Sequence, residues 1–177
     1  MRLLQSDKGS VLWLLRDTNK AEMNLRREAK ARGIDPQRIV FAPRVTPPDH
    51  LVRHRLADLF LDTLPYNAHT TTMDALWMGV PVLTCLGKAF PGRVAASMLK
   101  AAGLPELVTT SMADYEEVAL DLATKPERLG AIRSKVGEAR DSAPLFDANR
   151  LRRSLEAAYS QMWSLWQQGE APRTFRV

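Results

Sequence analysis

Residues 56–85, LADLFLDTLPYNAHTTTMDALWMGVPVLTC, place a polar loop and a helical segment between two apolar runs. The runs LFLDTL (59–64) and PVLTC (81–85) are continuous rather than alternating, which is typical of strands buried on both faces of a parallel sheet. The segment TTMDALWM (71–78) has a helical composition and stops at Gly79, a good residue just past a helix end. This order predicts a strand–helix–strand unit with parallel strands.

The same alternation of strands and helices continues on both sides of this unit. Apolar runs predict further strands at 11–16, 38–43 and 107–110. Helical composition between the runs predicts further helices at 20–32, 48–57 and 93–102. This alternation indicates an α/β domain, in which right-handed connections place helices on both faces of a Rossmann-like parallel sheet.

The chain beyond residue 110 is predicted to be helical. Ser111 suits the N-cap of a helix at 111–124, a second helix follows at 125–140, and a third lies near 146–168. The third helix carries apolar side chains along one stripe, namely Leu151, Leu155, Ala158, Met162 and Trp166.

Residues 1–177 are interpreted as one domain, because no repeat or linker divides them. The domain comprises a sheet core near 10–110 and a helical extension near 111–168. A strand that we expect to be buried follows the N-terminus almost directly, with little chain before it to cover its edge. We therefore expect the chain to be part of a longer protein.

Composition narrows the classes of partner. The formal net charge is +5, but the basic residues are scattered and not interleaved with aromatic side chains, which argues against nucleic-acid binding. No apolar run approaches the ~20 residues that a membrane-spanning helix needs. The single cysteine, Cys85, cannot form a disulfide within the chain, so we expect a reducing, cytoplasmic environment and a buried, unreactive thiol.

The loop between the two strands of the central unit is the best candidate for a binding site. Ligands of open α/β sheets bind at the carboxyl ends of the strands, where this loop lies. Thr70 or Thr71 is expected at the helix N-cap and Asp74 in the first turn, with His69 just before the cap. Free N–H groups at a helix start attract phosphate, and hydroxyl and imidazole donors reach the same oxygens. An ordinary threonine cap, with Asp74 complementing the helix dipole, explains the same residues equally well.

A second candidate lies in the loop before the helix predicted at 48–57. His50 and Arg53 are three residues apart and share a helix face, while His54 and Arg55 are expected to be exposed to solvent. His50 and His54 share a face too, but no third ligand is evident, so no metal site is predicted. The chain also lacks the glycine-rich dinucleotide and P-loop motifs and the GxSxG motif of many hydrolases.

These residues, taken in order, resemble the protein O-GlcNAc transferase family over nearly the whole chain. The segments that carry the resemblance are SVLWLLR (10–16), RIVFAP (38–43), LADLFLDTLPYNAHTTTMDALWMGVPVLT (56–84), RVAAS (93–97), SAPLF (142–146) and AAYSQMW (157–163). The family is similar in fold to the GT-B glycosyltransferases, which hold a nucleotide-sugar between two Rossmann-like halves. The resemblance implies that this chain is the C-terminal half.

The resemblance implies a reaction and a set of partners. The family transfers N-acetylglucosamine from the donor substrate UDP-GlcNAc to Ser or Thr hydroxyls of an acceptor protein, with inversion and without a required metal or other cofactor. Its members usually carry tetratricopeptide repeats upstream. The general base belongs to the N-terminal half, so we expect the isolated chain to be inactive or nearly so.

The resemblance also implies roles for individual residues. His69, Thr70 and Thr71 match the family's HTT motif, which contacts the pyrophosphate. Asp74 matches the aspartate that binds the ribose. The basic pair near the uridine matches His50 and Arg53, and the backbone of Val45 matches the position that reads the uracil edge. Pro47 is a departure, because well-known members have a lysine there that helps to hold the ribose.

Two other functions remain open on the sequence. The chain is also compatible with a non-catalytic module that binds a UDP-sugar. A related transferase that uses GDP-fucose shares the TTT start of the helix, whereas the MDALW segment (73–77) follows the O-GlcNAc pattern.

Overall fold

The computed structural model describes all 177 residues and contains five short parallel strands. They are β1 (Leu12–Leu15), β2 (Ile39–Ala42), β3 (Phe60–Leu61), β4 (Val82–Cys85) and β5 (Val108–Thr109). All three hydrogen-bonded pairs, β1–β2, β3–β4 and β4–β5, are parallel. The strands form two sheets, one of β1 and β2 and one of three strands in the order β3-β4-β5. The predicted α/β class with parallel strands is confirmed.

Eight α-helices accompany the strands. They are α1 (Arg2–Ser6), α2 (Asn19–Ala31), α3 (Pro47–Arg53), α4 (Thr70–Trp77), α5 (Val94–Ala101), α6 (Met112–Thr124), α7 (Pro126–Ser142) and α8 (Ala148–Gln167). Every predicted helix is present, but the one predicted at 48–57 ends as an α-helix at Arg53 and continues as a 3-10 turn, His54–Leu56. None of the helices is long and apolar enough to cross a bilayer.

Strand β4 is the centre of the main core, because all four of its residues are buried. Val82 packs in a cluster that includes Leu76 and Leu99 from α4 and α5. Leu83 and Cys85, which point the other way along the strand, pack against α6. Burying a leucine completely stabilises the fold by roughly 1.5–3 kcal/mol, so this strand fixes the helices on both of its faces. The buried, unpaired thiol predicted for Cys85 is confirmed.

The sheet formed by β1 and β2 is more open than its sequence predicts. Continuous apolar runs predict burial on both faces, but Leu15 and Val40 remain 42% and 41% exposed. That expectation is therefore wrong for this pair of strands, because no element of the chain covers these side chains.

Helix α1, which the sequence analysis did not predict, closes a smaller core beside this sheet. Leu4 of α1 packs with Ala29, Ile34 and Ile39. The Arg38 guanidinium donates to the carbonyl oxygens of Leu4 at 2.7 Å and of Asp7 and Ser10 nearby, so it satisfies the end of this short helix.

Two loops meet at the carboxyl end of the three-stranded sheet. The loop after β3 runs over 62–69, and the loop after β4 runs over 86–93. The Asn67 N–H donates to the Pro91 carbonyl at 2.9 Å, which ties the two loops together. A Cβ at Gly92 would lie 3.0 Å from the Pro65 oxygen, so this close approach of the two backbones favours glycine. Both loops are thereby held against the start of α4.

Candidate functional site

The start of α4 presents backbone donors that the chain itself does not use. His69 is the N-cap, and its carbonyl accepts from the N–H groups of Thr72 and Met73. The N–H groups of Thr70 and Thr71 have no acceptor in the chain, and no side chain caps the helix. These unpaired donors and the positive end of the helix dipole favour an anionic group.

The position of this helix start corrects the sequence analysis at two points. Thr70 or Thr71 was expected at the N-cap, but both are helical and exposed, and His69 occupies the cap. Asp74 was expected in the first turn but is the fifth residue of the helix, so it cannot serve as a dipole-complementing cap. The Thr70 and Thr71 hydroxyls are therefore not engaged in capping, so a capping role does not explain these two threonines.

Thr72 has a role within the fold. Its side chain is completely buried, and its hydroxyl donates to the Ala68 carbonyl at 2.9 Å. Thr72 therefore serves the first turn of α4 and lies outside the candidate site.

The imidazole of His69 is held between two aromatic side chains. It stacks on Tyr66, with 5.0 Å between ring centroids, and lies edge-on to Phe90 at 6.2 Å. Its Nε2 is 3.4 Å from the Pro91 carbonyl oxygen, and the ring makes no other hydrogen bond. The ring is thus oriented by packing and retains a nitrogen that can meet a ligand.

A cavity of about 390 Å³ opens beside His69, between the end of β3 and the start of α4. Its polar lining comes from Asp62, Thr63, Asn67 and Thr71. The Asn67 Oδ1 atom is buried and has no hydrogen-bond partner. Buried acceptors are normally satisfied, so this atom marks a place where a ligand hydroxyl or a water molecule would bind.

On α3, His50 and Arg53 form one unit, as their spacing predicts. Arg53 donates to His50 Nδ1 through Nε at 3.0 Å and Nη2 at 2.6 Å. It also donates to the Pro43 carbonyl at 2.7 Å, and its guanidinium carbon lies 5.8 Å from the ring centroid of Trp13. Because Nδ1 accepts, neutral His50 carries its proton on Nε2, which is left to donate outward.

The expectation that His54 is exposed to solvent is wrong. His54 is only 8% exposed, and its Nδ1 lies 2.7 Å from the His50 carbonyl, to which it donates. Its ring meets the His50 ring edge-on at 4.6 Å. The helical spacing correctly puts His54 beside His50, but the imidazole bonds back to the His50 carbonyl and is buried there instead of reaching solvent. Arg55 is exposed as predicted.

Val45 lies in the loop between β2 and α3. Its side chain is 43% exposed, and its backbone N–H and C=O make no hydrogen bond in the chain. The next residue, Thr46, is the N-cap of α3, and Pro47 occupies the first helical position. Val45 therefore offers an unpaired donor and acceptor close to the start of α3.

Electrostatics connect α3 to α4. Burial holds the pKa of His50 below its ordinary value, and the positive charges of His54 and Arg53 lower that pKa further. The Asp74 carboxylate acts in the opposite direction and raises it. The carboxylate of α4 thus lies close enough to the imidazole of α3 to influence it, and His50 is neutral at pH 7.

Changing Asp74 to Asn is expected to lower the pKa of His50 further, because the only opposing negative charge is removed. The imidazole Cε1–H signal of His50, followed by NMR against pH, measures this directly. In the wild type and in Asp74→Asn, the pKa of His50 is lower in the folded chain than in the unfolded chain. As pH falls below about 6.5, His50 is therefore protonated first in the unfolded chain, and the free energy of unfolding declines.

Asp58→Asn is the matched control for Asp74→Asn, since its side chain is 81% exposed and pairs with Arg133 rather than with α3. It is expected to leave the His50 titration unchanged. Equal titration curves for Asp74→Asn and the wild type would show that the two helices do not face each other as described.

The structure thus brings the predicted residues into two groups. His69, Thr70 and Thr71 form the α4 start, and His50 with Arg53 forms the α3 face, which Asp74 influences. Sequence reasoning missed the aromatic pair around His69 and the buried carboxylate of Asp62. An aspartate inside the apolar run LFLDTL (59–64) was the one signal that could have identified the carboxylate.

Comparison with known proteins places this site in a family. The model of glycosyl transferase family 41 matches residues 1–155. The chain is 39% identical over 169 residues to the UDP-N-acetylglucosamine--peptide N-acetylglucosaminyltransferase of Caenorhabditis elegans, covering 96% of this chain and 15% of that protein. It is 38% identical to the probable enzyme of this name, SEC, from Arabidopsis thaliana, covering 99% and 18%.

A solved structure gives the same result. An O-GlcNAc transferase variant from Thermobaculum terrenum superposes with a TM-score of 0.84 at 31% identity, covering 92% of this chain and 32% of that chain. The present chain therefore spans less than a fifth of these two curated relatives and about a third of the solved one. The family that the sequence resembles is confirmed: the chain belongs to glycosyl transferase family 41.

Proposed function

We propose that this chain is the nucleotide-sugar-binding half of an enzyme that transfers N-acetylglucosamine from UDP-GlcNAc to Ser or Thr hydroxyls of proteins, with inversion. The observation that carries the proposal is the uncapped start of α4, where unpaired N–H groups and His69 adjoin a polar cavity in a family 41 chain. The names of the two curated relatives support this choice of donor and acceptor class.

The diphosphate of the donor binds at the α4 start. Its oxygens accept from the N–H groups and hydroxyls of Thr70 and Thr71 and from the His69 ring. Transfer makes UDP the leaving group, so negative charge builds on these oxygens as the glycosidic bond breaks. Donors that are already fixed in place stabilise that charge without reorganising, which lowers the barrier.

The nucleoside part binds between α3 and α4. Asp74 accepts from the ribose hydroxyls, and the uracil edge pairs with the backbone of Val45. The basic pair of His50 and Arg53 lies beside the uridine, with His50 neutral and donating through Nε2. Pro47 has no side-chain donor, so the ribose depends on Asp74 for its contact here.

In the chemical step, the acceptor hydroxyl attacks the anomeric carbon of the sugar while the bond from that carbon to the β-phosphate oxygen breaks. The hydroxyl proton passes to a general base that this chain does not supply. The proposal needs no metal or other cofactor, because His69, Thr70 and Thr71 donate to the phosphate oxygens on which the charge develops.

Helix α8 supports the participation of a second catalytic half. Only Leu165 on this helix is buried. The remaining large apolar side chains of α8 are 45–68% exposed on one face: Leu151, Leu155, Tyr159, Met162, Trp163 and Trp166. An apolar stripe of this size is typical of an interaction surface. We propose that the N-terminal half of the enzyme covers it.

Leu155→Glu in the full-length protein is expected to reduce sugar transfer at least about tenfold, because a buried charge disrupts the contact between halves. Ala157→Glu is the matched control, since it adds the same charge to the opposite, exposed face of α8. Both variants of the 177-residue chain are expected to melt like the wild type. Equal transfer by the two full-length variants would contradict this use of the stripe.

The remaining parts of the proposal concern the full-length protein. It takes a protein acceptor, carries tetratricopeptide repeats upstream, and works in the cytoplasm. The buried free thiol of Cys85 supports a reducing compartment.

A donor panel tests the proposed function. The full-length protein is incubated with UDP-GlcNAc or GDP-fucose and a Ser/Thr peptide, and sugar transfer is measured by mass spectrometry. Transfer from UDP-GlcNAc supports the proposal. UDP binding without transfer favours a non-catalytic UDP-sugar module, and transfer from GDP-fucose alone favours the related fucose-using class.

A further inference from the structure

Asp62 is a buried carboxylate at the end of β3 that the proposed chemistry does not use. Asp62 is 7% exposed, and its carboxylate accepts hydrogen bonds from uncharged groups. Burying a charged group is costly unless its oxygens are fully hydrogen-bonded, so a fold that keeps a carboxylate here holds it for a specific contact.

Each oxygen of this carboxylate accepts from a different element. Oδ2 accepts from the Thr84 hydroxyl on β4 at 2.6 Å, and Thr84 is completely buried. Oδ1 accepts from the Ala68 backbone N–H at 2.6 Å. Asp62 therefore connects the central strand to the residue that immediately precedes His69.

The backbone of Asp62 is held as firmly as its side chain. Its N–H donates to Leu83 across the sheet at 3.0 Å, and its carbonyl accepts from the Tyr115 hydroxyl at 2.9 Å. Burial, followed by the negative charge of Asp62, raises the pKa of Tyr115, so the phenol remains a donor. The carboxylate is thus anchored to β4 and α6 before it reaches the loop.

Both backbone polar groups of Ala68 are held by hydrogen bonds. Its N–H is held by Asp62, and its carbonyl accepts from Thr72 on the first turn of α4. Only His69 separates Ala68 from the unpaired N–H groups of Thr70 and Thr71. A shift of the Ala68 peptide would therefore move the donors that the phosphates meet.

We propose that Asp62, supported by Thr84, is a positioning residue that sets the orientation of the α4 start for the donor phosphates. This inference rests on the proposed function and deepens it, since it assigns the geometry of that site to a residue outside it. Asp62 borders the cavity, but its two carboxylate oxygens are already bound to the Ala68 N–H and the Thr84 hydroxyl. It acts through the Ala68 peptide, and its effect is expected on kcat and UDP affinity rather than on stability alone.

Matched Thr→Val substitutions in neighbouring strands test this proposal. Thr84→Val removes the donor to Asp62, whereas Thr109→Val on β5 removes a hydroxyl that donates to the Thr84 carbonyl at 3.1 Å and has no contact with Ala68. Both delete one buried hydroxyl. In the full-length protein, UDP affinity is measured by calorimetry, kcat with UDP-GlcNAc, and the melting temperature by circular dichroism.

We expect Thr84→Val to lower kcat by about tenfold or more and to weaken UDP binding, since small displacements of a preorganised site are costly. Thr109→Val is expected to lower the melting temperature by a similar amount with kcat and UDP affinity unchanged. Thr84→Ser retains the hydroxyl and is expected to restore kcat, which keeps the test valid if the valine variant folds poorly.

The outcomes separate the two levels of the proposal. Failure of the wild type to bind UDP or transfer the sugar would overturn the proposed function itself. A wild type that binds and transfers, with Thr84→Val and Thr109→Val equal in kcat and UDP affinity, would overturn the positioning role alone. Loss of kcat in Thr84→Ser equal to that in Thr84→Val would overturn it as well.

Discussion

Replacing His69 with alanine in the full-length protein is expected to lower kcat for sugar transfer by about 10²-fold or more, because it removes one preorganised donor to the leaving phosphate. The fold is expected to survive, since the imidazole makes only one weak contact, 3.4 Å to the Pro91 carbonyl, and packs on exposed aromatic rings. The loss should therefore fall on the chemical step. Single-turnover kinetics with UDP-GlcNAc, compared with the melting temperature, measures the two effects separately.

His69→Gln provides the graded comparison for this prediction. Its amide retains an N–H donor on a side chain of similar reach, so kcat is expected to lie between those of the alanine variant and the wild type. A wild-type kcat in well-folded His69→Ala would remove His69 from the proposed mechanism. A loss of kcat that follows the fraction unfolded would assign it to the fold instead.

Arg53→Ala is expected to weaken UDP binding roughly 10–100-fold, because each hydrogen bond of a charged group contributes about 1.5–3 kcal/mol. The substitution also leaves the acceptors of Arg53 without a donor. Arg53 donates to both His50 Nδ1 and the Pro43 carbonyl and lies over Trp13. Without it, the His50 ring loses its fixed tautomer and orientation. Isothermal titration with UDP measures the effect.

The neighbouring Arg55 supplies the control for this substitution. Arg55→Ala removes the same charge from an exposed residue of the 3-10 turn that makes no hydrogen bond or ion pair through its side chain. It is expected to leave UDP affinity within about twofold, since surface charges contribute little. Arg53→Lys should fall between the two, because lysine keeps the charge but cannot donate in a fork. Equal affinities for Arg53→Ala and Arg55→Ala would mean that charge alone attracts UDP.

The sequence predicts the order of strands and helices well because each element carries its own local signal. Apolar runs identify all five strands, and Ser111 at the N-cap of α6 is found where its chemistry predicts it. Helix α1 escaped prediction because it is only five residues long and depends on Arg38, a partner far along the chain. The open face of the β1–β2 sheet could not be foreseen either, since an apolar run does not say what covers it.

The candidate site was predictable where it is contiguous and was missed where it is assembled by packing. HTT (69–71) stands together in the sequence, and the helix period pairs His50 with Arg53. The burial of His54 depends on how α3 packs against the rest of the fold, which the helix period alone does not reveal. The contact of Asp62 with Thr84 joins two strands, so only the sheet pairing reveals it.

An NMR titration of the chain with UDP, using uridine as the control, shows whether the start of α4 holds the diphosphate. We expect UDP to shift the amide signals of Thr70 and Thr71, whose N–H groups are unpaired. Uridine lacks phosphates, so it should leave those two signals in place while it shifts the signals of residues near Val45. UDP binding that leaves the Thr70 and Thr71 amides unshifted would contradict the claim that the start of α4 holds the diphosphate.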